Sequence, residues 1–358
     1  MKKLVTILLS LTIVLCFCIT ASADGYERLN ATAKEIFENC FGNENADLTN
    51  NTIRLKKDIK ESCMYIESIK EDVILDLNGH SWLNADIEIK DTLKQHTFTF
   101  TDSLGGGTIA GGSMPSAPIK ISDANVIFDG GTYMGNYDNS QLPASALLLG
   151  NNINVQILSG NFIGGNGTGD EKMSWLIREP NYGASAIEIS NFMNEYNDIN
   201  IEQLYIADGV QISGGNAVTD SELLPNIGGP GIEIIGNLKG NPIEIGKATI
   251  SGGNGKTCTD AIHSDYTVNI IISKSAILKG VSDKGINVSG NSNVQYVDKI
   301  VKNNTDIKNE ETVNKNNSTK TVSPKTGDNF SALIFIEIGI LFITALIVFC
   351  KKQTKFDI

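Results

Sequence analysis

The sequence of 358 residues predicts an all-β protein, a right-handed parallel β-helix whose coils each add one short strand to three stacked sheets. Three short β-type patterns predict this fold, because they recur in the same order along the middle of the chain. Glycine and asparagine separate the patterns, and the variation in length is confined to one connection. A solenoid accommodates such variation, since an insertion between strands leaves the stacked strands in place.

The first pattern is a strand in which one outward residue lies between two apolar residues, after a small residue or proline. Its copies are residues 118–121, 146–149, 186–189, 231–234, 261–264 and 285–288. Successive side chains of a strand point to opposite faces. The apolar residues are therefore expected to face the core, and the middle residue to face outward.

The second pattern follows a turn and begins with a side-chain amide or the similar aspartate. These residues are Asn125, Asn154, Asp198, Asn241, Asn269 and Asn293. We expect them to stack from coil to coil as a structural ladder that satisfies buried backbone groups. The third pattern ends in glycine, and its copies are residues 108–111, 132–135, 161–164, 211–214, 249–252 and 277–280.

Earlier segments at 52–55, 73–80 and 98–100 fit one or two further coils. The run Leu-Asp-Leu-Asn-Gly-His at 75–80 resembles the run with which many Firmicutes surface proteins with pectate-lyase-like β-helices open. The resemblance covers roughly residues 50–297. It implies the fold far better than it implies any activity.

The segment before the coils, 24–49, predicts a short helix that caps the first coil. Asn30 is the expected N-cap, because its side chain can accept a hydrogen bond from the first helical turn. The apolar residues that fall mostly on one face are Leu29, Ile36, Phe37, Cys40 and Phe41. We expect this face to cover the open strand edges of the first coil, and the alternative is a linker helix that does not dock.

Residues 1–23 have the pattern of a secretory signal peptide. Lys2 and Lys3 precede an apolar run that ends in Ala-Ser-Ala at 21–23, so cleavage is expected after Ala23. The apolar run is short for a membrane span, and a first transmembrane helix is therefore the weaker interpretation.

Residues 298–326 are too polar to build a core, and they predict a disordered linker that crosses the cell wall. The linker ends in Ser323, Pro324, Lys325 and Thr326, and Gly327 follows it. They resemble the sorting signal of clostridial-type sortases. The resemblance implies cleavage between Thr326 and Gly327 and transfer of the Thr326 carboxyl to a peptidoglycan amine. Serine at the first position, where the usual signal has leucine, leaves the sortase class open.

Residues 327–358 would hold the chain in the membrane until that reaction. An apolar segment from about residue 330 to 350 is long enough to span a bilayer, and Lys351, Lys352 and Lys355 follow it as the positive-inside rule requires. The alternative is an ordinary C-terminal membrane anchor. Together the two ends predict a secreted protein of a Gram-positive cell, anchored covalently to the outer cell wall.

The processed chain, residues 24–326, is strongly acidic. Removal of the two ends takes away five of the 29 Lys and Arg and three of the 41 Asp and Glu, which leaves a net charge of −14. This charge argues against nucleic acid as a partner, because phosphate binding relies on a basic surface.

Three cysteines remain after processing: Cys40, Cys63 and Cys258. Their spacing is not that of a metal site, and three cysteines cannot all pair. A bridge between Cys40 and Cys63 is possible, but buried thiols are the default expectation.

The outward residues of the first pattern form one column when the strands are aligned. The column is Lys120, Leu148, Glu188, Glu233, His263 and Asn287. Neighbouring coils are about 4.8 Å apart, so Glu188, Glu233 and His263 form a candidate site, with Asp260 and Asp265 beside the histidine. Such a cluster could bind calcium or supply the acid and base for cleavage of a sugar chain. The alternative is a solvated sheet face.

The longest connection, residues 166–183, offers candidate ligand contacts. Its Trp175 could stack on a sugar ring, and its Arg178 could pair with the carboxylate of a uronate or sialate. Loops on a rigid scaffold commonly carry such contacts.

These observations favour a non-catalytic adhesin or carbohydrate-binding module. The catalytic motifs of β-helical lyases and polygalacturonases cannot be matched to this chain, and no cofactor is expected beyond calcium. The first alternative is a polysaccharide lyase or glycoside hydrolase that acts on acidic glycans through Glu188, Glu233, His263 and Arg178. The second is a structural spacer of the wall.

Overall fold

The computed structural model describes residues 29–60, 62–112, 116–136, 143–167, 182–191, 198–217, 227–257 and 259–300. The predicted signal peptide, the sorting motif and the apolar C-terminal segment lie outside these residues, as do Trp175, Arg178 and Cys258. In the described part of the chain, no helix is long and apolar enough to cross a membrane.

The described chain consists mostly of short strands. Two short helices, α1 (Ala33–Ile36) and α2 (Gly42–Asn45), flank a π-helical turn at Phe37–Phe41. In chain order the strands are β1 (Leu29–Ala31), β2 (Ala46–Thr49), β3 (Thr52–Leu55), β4 (Ile59–Lys60), β5 (Cys63–Ile69), β6 (Val73–Asp76), β7 (Ser81–Leu83), β8 (Asp86–Lys90), β9 (Thr97–Thr101), β10 (Thr108–Ala110), β11 (Ile119–Ser122), β12 (Asn125–Met134), β13 (Leu147–Leu149), β14 (Ile153–Ile163), β15 (Ile187–Ser190), β16 (Ile199–Ile206), β17 (Gln211–Ser213), β18 (Ile232–Ile235), β19 (Leu238–Gly240), β20 (Ile243–Ile245), β21 (Thr249–Ser251), β22 (Ile262–Ser264), β23 (Asn269–Ser273), β24 (Ile277–Lys279), β25 (Ile286–Val288) and β26 (Asn293–Val297).

The strands stack into two sheets. Within the described residues, the first sheet has nine parallel strands in the order β1-β5-β8-β11-β13-β15-β18-β22-β25. The second sheet contains two parallel ladders, β3-β6-β9-β12-β14-β16-β20-β23-β26 and β4-β7-β10-β12-β14-β17-β21-β24. The long strands β12 and β14 belong to both ladders, and β2 pairs with β3 as an antiparallel exception. A coil therefore contributes to both ladders and adds one strand to the first sheet, which confirms the predicted all-β stack of parallel strands.

The core between the sheets is mostly Ile, Leu and Val, with one aromatic cluster in its first half. The fully buried rings of this cluster are Phe98, Phe100, Phe128, Tyr133 and Phe162. Phe128 stacks on Phe100 with ring centroids 5.0 Å apart, and it meets the edges of Tyr133 and Phe162 at 5.0 and 5.5 Å. The cluster joins three successive coils through side chains as well as through backbone hydrogen bonds.

The start of the described chain differs in detail from the predicted helix. The N-cap is Thr32, not Asn30, because the Thr32 side chain accepts from the Glu35 backbone while the Glu35 carboxylate accepts from the Thr32 N–H at 2.8 Å. Asn30 and Leu29 belong instead to strand β1. The sequence Thr-x-x-Glu is a capping box, and this reciprocal pair of bonds outweighs a single asparagine cap.

The apolar face of this N-terminal segment is buried. Ile36, Phe37 and Phe41 all belong to the hydrophobic core. The ring of Phe41 meets the buried Trp82 edge-on, with centroids 5.2 Å apart. Trp82 lies in β7, so the segment packs on the core of the early coils.

The predicted amide ladder is only partly correct. Asn125 aligns with Asn154, and Asn269 aligns with Asn293, whose side chain donates to it at 2.9 Å. Asn154, however, aligns with Gln203 inside β16, whereas Asp198 precedes that strand. The other two predicted members are exposed: Asp198 pairs with Lys239 at 3.6 Å, and Asn241 donates to the Glu202 carbonyl.

Neither Cys40 nor Cys63 forms a disulfide. Buried thiols were expected from the sequence, but both side chains are only partly buried. Burial and the neighbouring Cys63 thiol raise the pKa of Cys40 to about 12. Cys40 is therefore protonated at neutral pH and a poor nucleophile.

The aspartate of the run at 75–80 has a structural role. Asp76 is buried, and its carboxylate accepts hydrogen bonds from Arg54 Nε at 2.8 Å and from the backbone N–H groups of Asn78 and Ser103, both at 2.9 Å. Burial raises the pKa of Asp76, but the hydrogen bonds from Ser103, Arg54 and Asn78 together hold that pKa below its usual value. The run thus fastens a turn of the second coil to its neighbours.

We expect Asp76→Asn to lower the free energy of unfolding by about 2 kcal/mol at pH 7, because the amide cannot accept all of these bonds. The folded-state pKa lies below the unfolded one, so ionised Asp76 stabilises the fold at neutral pH, and this contribution is lost as the pH falls through the folded-state pKa. Urea unfolding of both chains over a pH series checks this. A stability difference that stays constant into acid would contradict the assignment.

Candidate functional site

The outward column of the first sheet has the predicted alignment. The aligned pairs are Lys120 with Leu148, Leu148 with Glu188, Glu188 with Glu233, Glu233 with His263, and His263 with Asn287. The column also extends toward the N-terminus, where Glu88 aligns with Lys120. Since neighbouring parallel strands lie about 4.8 Å apart, each member is next to the members before and after it.

Alternation within the strands places these side chains. In β15, Ile187 and Ile189 are fully buried while Glu188 between them reaches the surface. In β18, Ile232 and Ile234 are buried in the same way and Glu233 reaches the surface. The two carboxylates are therefore side by side on a rigid face.

Glu188 is held by serine hydroxyls. Its Oε2 accepts a hydrogen bond from Ser145 Oγ at 3.0 Å, and its Oε1 accepts one from Ser190 Oγ at 2.8 Å. Ser145 Oγ also lies 2.9 Å from Ser185 Oγ. Because the Ser145 proton points to the carboxylate, Ser185 is the donor of that second bond. The result is a chain of hydroxyls that ends on Glu188.

A cavity of about 270 Å³ opens over this cluster. We call it the groove, and its described polar lining is Ser116, Ser145, Ser185, Glu188 and Glu233. Leu148, Pro143 and three alanines supply the apolar part of the lining. The lining comes from successive coils, so the groove runs along the stack.

One end of the groove borders the connections between the second sheet and the first. Segments that leave the second sheet alternate with segments that enter the first sheet, and backbone hydrogen bonds of 2.7–2.9 Å join them into a ladder. In this ladder Gly165 N donates to Ala144 O, Ala184 N to Gly165 O, Gly215 N to Ala184 O, Gly229 N to Gly215 O, and Gly253 N to Gly229 O. Ala144 and Ala184 also line the groove. The connection at 166–183, which contains Trp175 and Arg178, begins and ends in this ladder.

An asparagine ladder that the sequence reasoning missed lies beside these glycines. The backbone N–H of Asn166 donates to the Asn136 side chain at 3.2 Å, that of Asn216 to Asn166 at 2.8 Å, and that of Asn254 to Asn216 at 2.9 Å. The signal was present as Gly-Gly-Asn at 164–166, 214–216 and 252–254. These asparagines, and not the predicted set, form the longer stack.

No protein-family model, curated protein or solved structure matches this chain.

The histidine end of the predicted cluster lies outside the described groove lining, although His263 aligns with Glu233. His263 Nε2 lies 3.9 Å from Asp265 Oδ1, and Asp265 is almost fully exposed. Asp260 is buried, and its Oδ1 accepts from Ser282 N at 2.8 Å and from Ser282 Oγ at 2.6 Å. Asp260 therefore holds a turn of the chain.

Among the residues with described positions, no three His, Cys, Asp or Glu side chains gather closely enough to hold a metal ion. The described carboxylates that meet at the groove are Glu188 and Glu233. A calcium site would thus need ligands beyond the described acidic and histidine side chains, such as carbonyl oxygens or water.

Proposed function

We propose that this chain is a non-catalytic, glycan-binding surface module built on a right-handed parallel β-helix. The observation that carries the proposal is the groove, where hydroxyls and two carboxylates from successive coils meet on a rigid sheet face. Sugar-binding sites combine a few placed polar groups with apolar surface, and this groove has both. The right-handed coil follows from the strong preference of parallel strand connections for that hand.

The ends of the sequence support display at the cell wall. The signal at 1–23 directs export, and the motif at 323–327 with its apolar segment and basic tail directs sortase to the chain. The partners are a sortase during processing and then peptidoglycan, to which Thr326 would be joined. The linker at 298–326 would hold the coils away from the wall.

The hydrogen bonds around Glu188 favour binding over catalysis. A general acid must give its proton to the leaving group, but both Glu188 oxygens already accept hydrogen bonds from serines. The carboxylate is thus positioned as an acceptor for a bound ligand.

A glycan array with the purified full-length chain in mild detergent, with and without calcium, tests the proposal. We expect the chain to retain at least one class of oligosaccharide, and Leu148→Trp, which fills the groove, to abolish that signal. Ile235→Trp is the matched control, since Ile235 is an exposed residue of the same sheet outside the described groove lining. Absence of binding in every condition would contradict the glycan-binding function and favour the structural spacer.

One observation favours the enzyme alternative. Glu188 and Glu233 align on neighbouring strands, and a pair of carboxylates about 5 Å apart is the arrangement of retaining glycosidases. Release of products from pectin or host glycans, lost in Glu233→Gln, would establish a hydrolase or lyase. Activity that Glu233→Gln leaves unchanged would remove this pair from the chemistry.

A further inference from the structure

We propose that two copies of this chain join end to end through the last described coil, where β26 of one copy pairs antiparallel with β26 of the other. The contact is a protein–protein surface and does not depend on glycan binding. A dimer of this kind carries the groove twice, so a partner with repeated units would meet two sites.

Exposed apolar side chains are concentrated at this end of the described chain. Among the described residues, seven large apolar side chains are exposed, and four of them belong to the last two coils: Tyr266, Ile277, Val281 and Tyr296. Val294 is only partly buried, whereas Ile270, its aligned neighbour one coil earlier, is fully buried. An exposed apolar patch of this kind marks a protein contact.

The backbone of the last coil has an open edge. Within the described residues, β24, β25 and β26 each pair with one strand only, which is β21, β22 and β23 respectively. The other edge of these strands is therefore available to a strand from outside. β25 and β26 contain no charged residue and no proline, although proteins commonly use both to block an exposed edge.

The other end of the described stack is closed. There β2 covers the edge of β3 by antiparallel pairing, and Ile36, Phe37 and Phe41 of the N-terminal segment are buried in the core. The first coil of one copy therefore cannot add to the last coil of another copy without losing this cap. The remaining arrangement joins like ends about a two-fold axis, which gives a closed dimer and not a fibre.

The pattern of β26 suits pairing with its own copy. Val294 and Tyr296 align with the buried Ile270 and Ile272, so both point toward the core, and Gln295 between them is exposed. In an antiparallel pair centred on Gln295, Val294 of each copy lies opposite Tyr296 of the other. The apolar side of the strand thus stays on the core side in both copies.

A second copy suits this end better than the residues that follow the last coil. The linker at 298–326 contains no aromatic residue and is too polar to supply a core. A second copy instead brings the same apolar side chains and the same open strand edge. The cover is therefore another chain of the same kind.

Cross-linking at the proposed two-fold axis tests the pairing. In the full-length chain in mild detergent, Gln295→Cys places two thiols opposite each other across the antiparallel pair, so mild oxidation should give a covalent dimer. Gln211→Cys is the matched control, because Gln211 is also an exposed glutamine but lies on β17, which has a described strand on both sides. We expect its cross-linked fraction to be at least tenfold smaller and no larger than that of the parent chain with its native cysteines.

Light scattering over a range of protein concentrations measures the non-covalent dimer. Tyr296→Lys brings a charge into the contact and should raise the Kd at least tenfold, with unchanged thermal melting because Tyr296 is 41% exposed. Leu104→Lys, at an exposed leucine of an earlier coil, is the control and should leave the Kd unchanged. Salt should lower the Kd, because it screens the repulsion between two acidic chains.

Three outcomes would overturn the proposal. The first is a monomer at every protein and salt concentration. The second is cross-linking of Gln295→Cys that does not exceed that of Gln211→Cys. The third is a dimer that Tyr296→Lys leaves intact, since the contact would then lie elsewhere, for instance in the apolar segment at 330–350.

Discussion

Replacement of Gly215 by alanine is expected to lower the free energy of unfolding by more than about 3 kcal/mol, which exceeds the usual cost of overpacking. A Cβ atom at this position would lie 1.9 Å from the carbonyl oxygen of Gly165 and 2.5 Å from its carbonyl carbon. Relief by backbone movement is costly, because Gly215 donates to Ala184 and accepts from Gly229, both at 2.8 Å. Urea unfolding followed by circular dichroism measures the loss.

Gly290→Ala is the matched control for this substitution. A Cβ atom at Gly290 would have no atom within 4 Å, and its backbone is outside the left-handed region. We expect its stability to remain within about 0.5 kcal/mol of the parent chain. Equal unfolding midpoints for the two alanine variants would refute the close packing of the glycine ladder.

Phe128→Ala is expected to cost about 3–5 kcal/mol, the range for removal of a fully buried aromatic ring. Phe128 lies in the middle of the aromatic cluster, in contact with rings on both sides of its coil. The cavity would be surrounded by Phe100, Tyr133 and Phe162, whose positions are set by the stacked strands and cannot collapse freely.

Chemical unfolding of Phe128→Ala beside Leu104→Ala measures this effect. The Leu104 side chain is 74% exposed, so its truncation should change stability by no more than about 0.5 kcal/mol. Phe128→Leu should fall between the two, because it refills part of the cavity. A Phe128→Ala loss no larger than that of Leu104→Ala would show that the cluster contributes little to the core.

The alignment of the outward column could be predicted because it depends on local pattern alone. Ile187 and Ile232 begin the same apolar alternation, and a strand cannot slip by one residue without turning its apolar side chains outward. Glu188 and Glu233 therefore had one favoured register. The predicted amide ladder lacked this constraint, since its members do not occupy the same place in each strand: Asn154 aligns with Gln203 inside β16, whereas Asp198 precedes that strand.

The hydroxyl chain of the groove was harder to predict. Ser145 and Ser185 each lie two residues before the first inward residue of a strand, with an alanine between. This shared position in the repeat could have indicated that the two serines are neighbours. Their bonds to each other and to Glu188 depend on side-chain rotamers and depth, which a pattern of apolar residues does not encode. Trp175 and Arg178 stay predictions, because they lie outside the described residues.

Among the described coils, the last one has a neighbour on one side only. Leu278, Ile286 and Val294 remain partly exposed there, although the aligned residues one coil earlier, Ile250, Ile262 and Ile270, are almost fully buried. In a stack where each coil contacts only adjacent coils, resistance to opening is lowest at such an end and rises toward the interior. Tension applied through the proposed tether would reach this coil first. The coils would then unfold one after another from this end, so the C-terminal coils would open under force before the coils that form the groove.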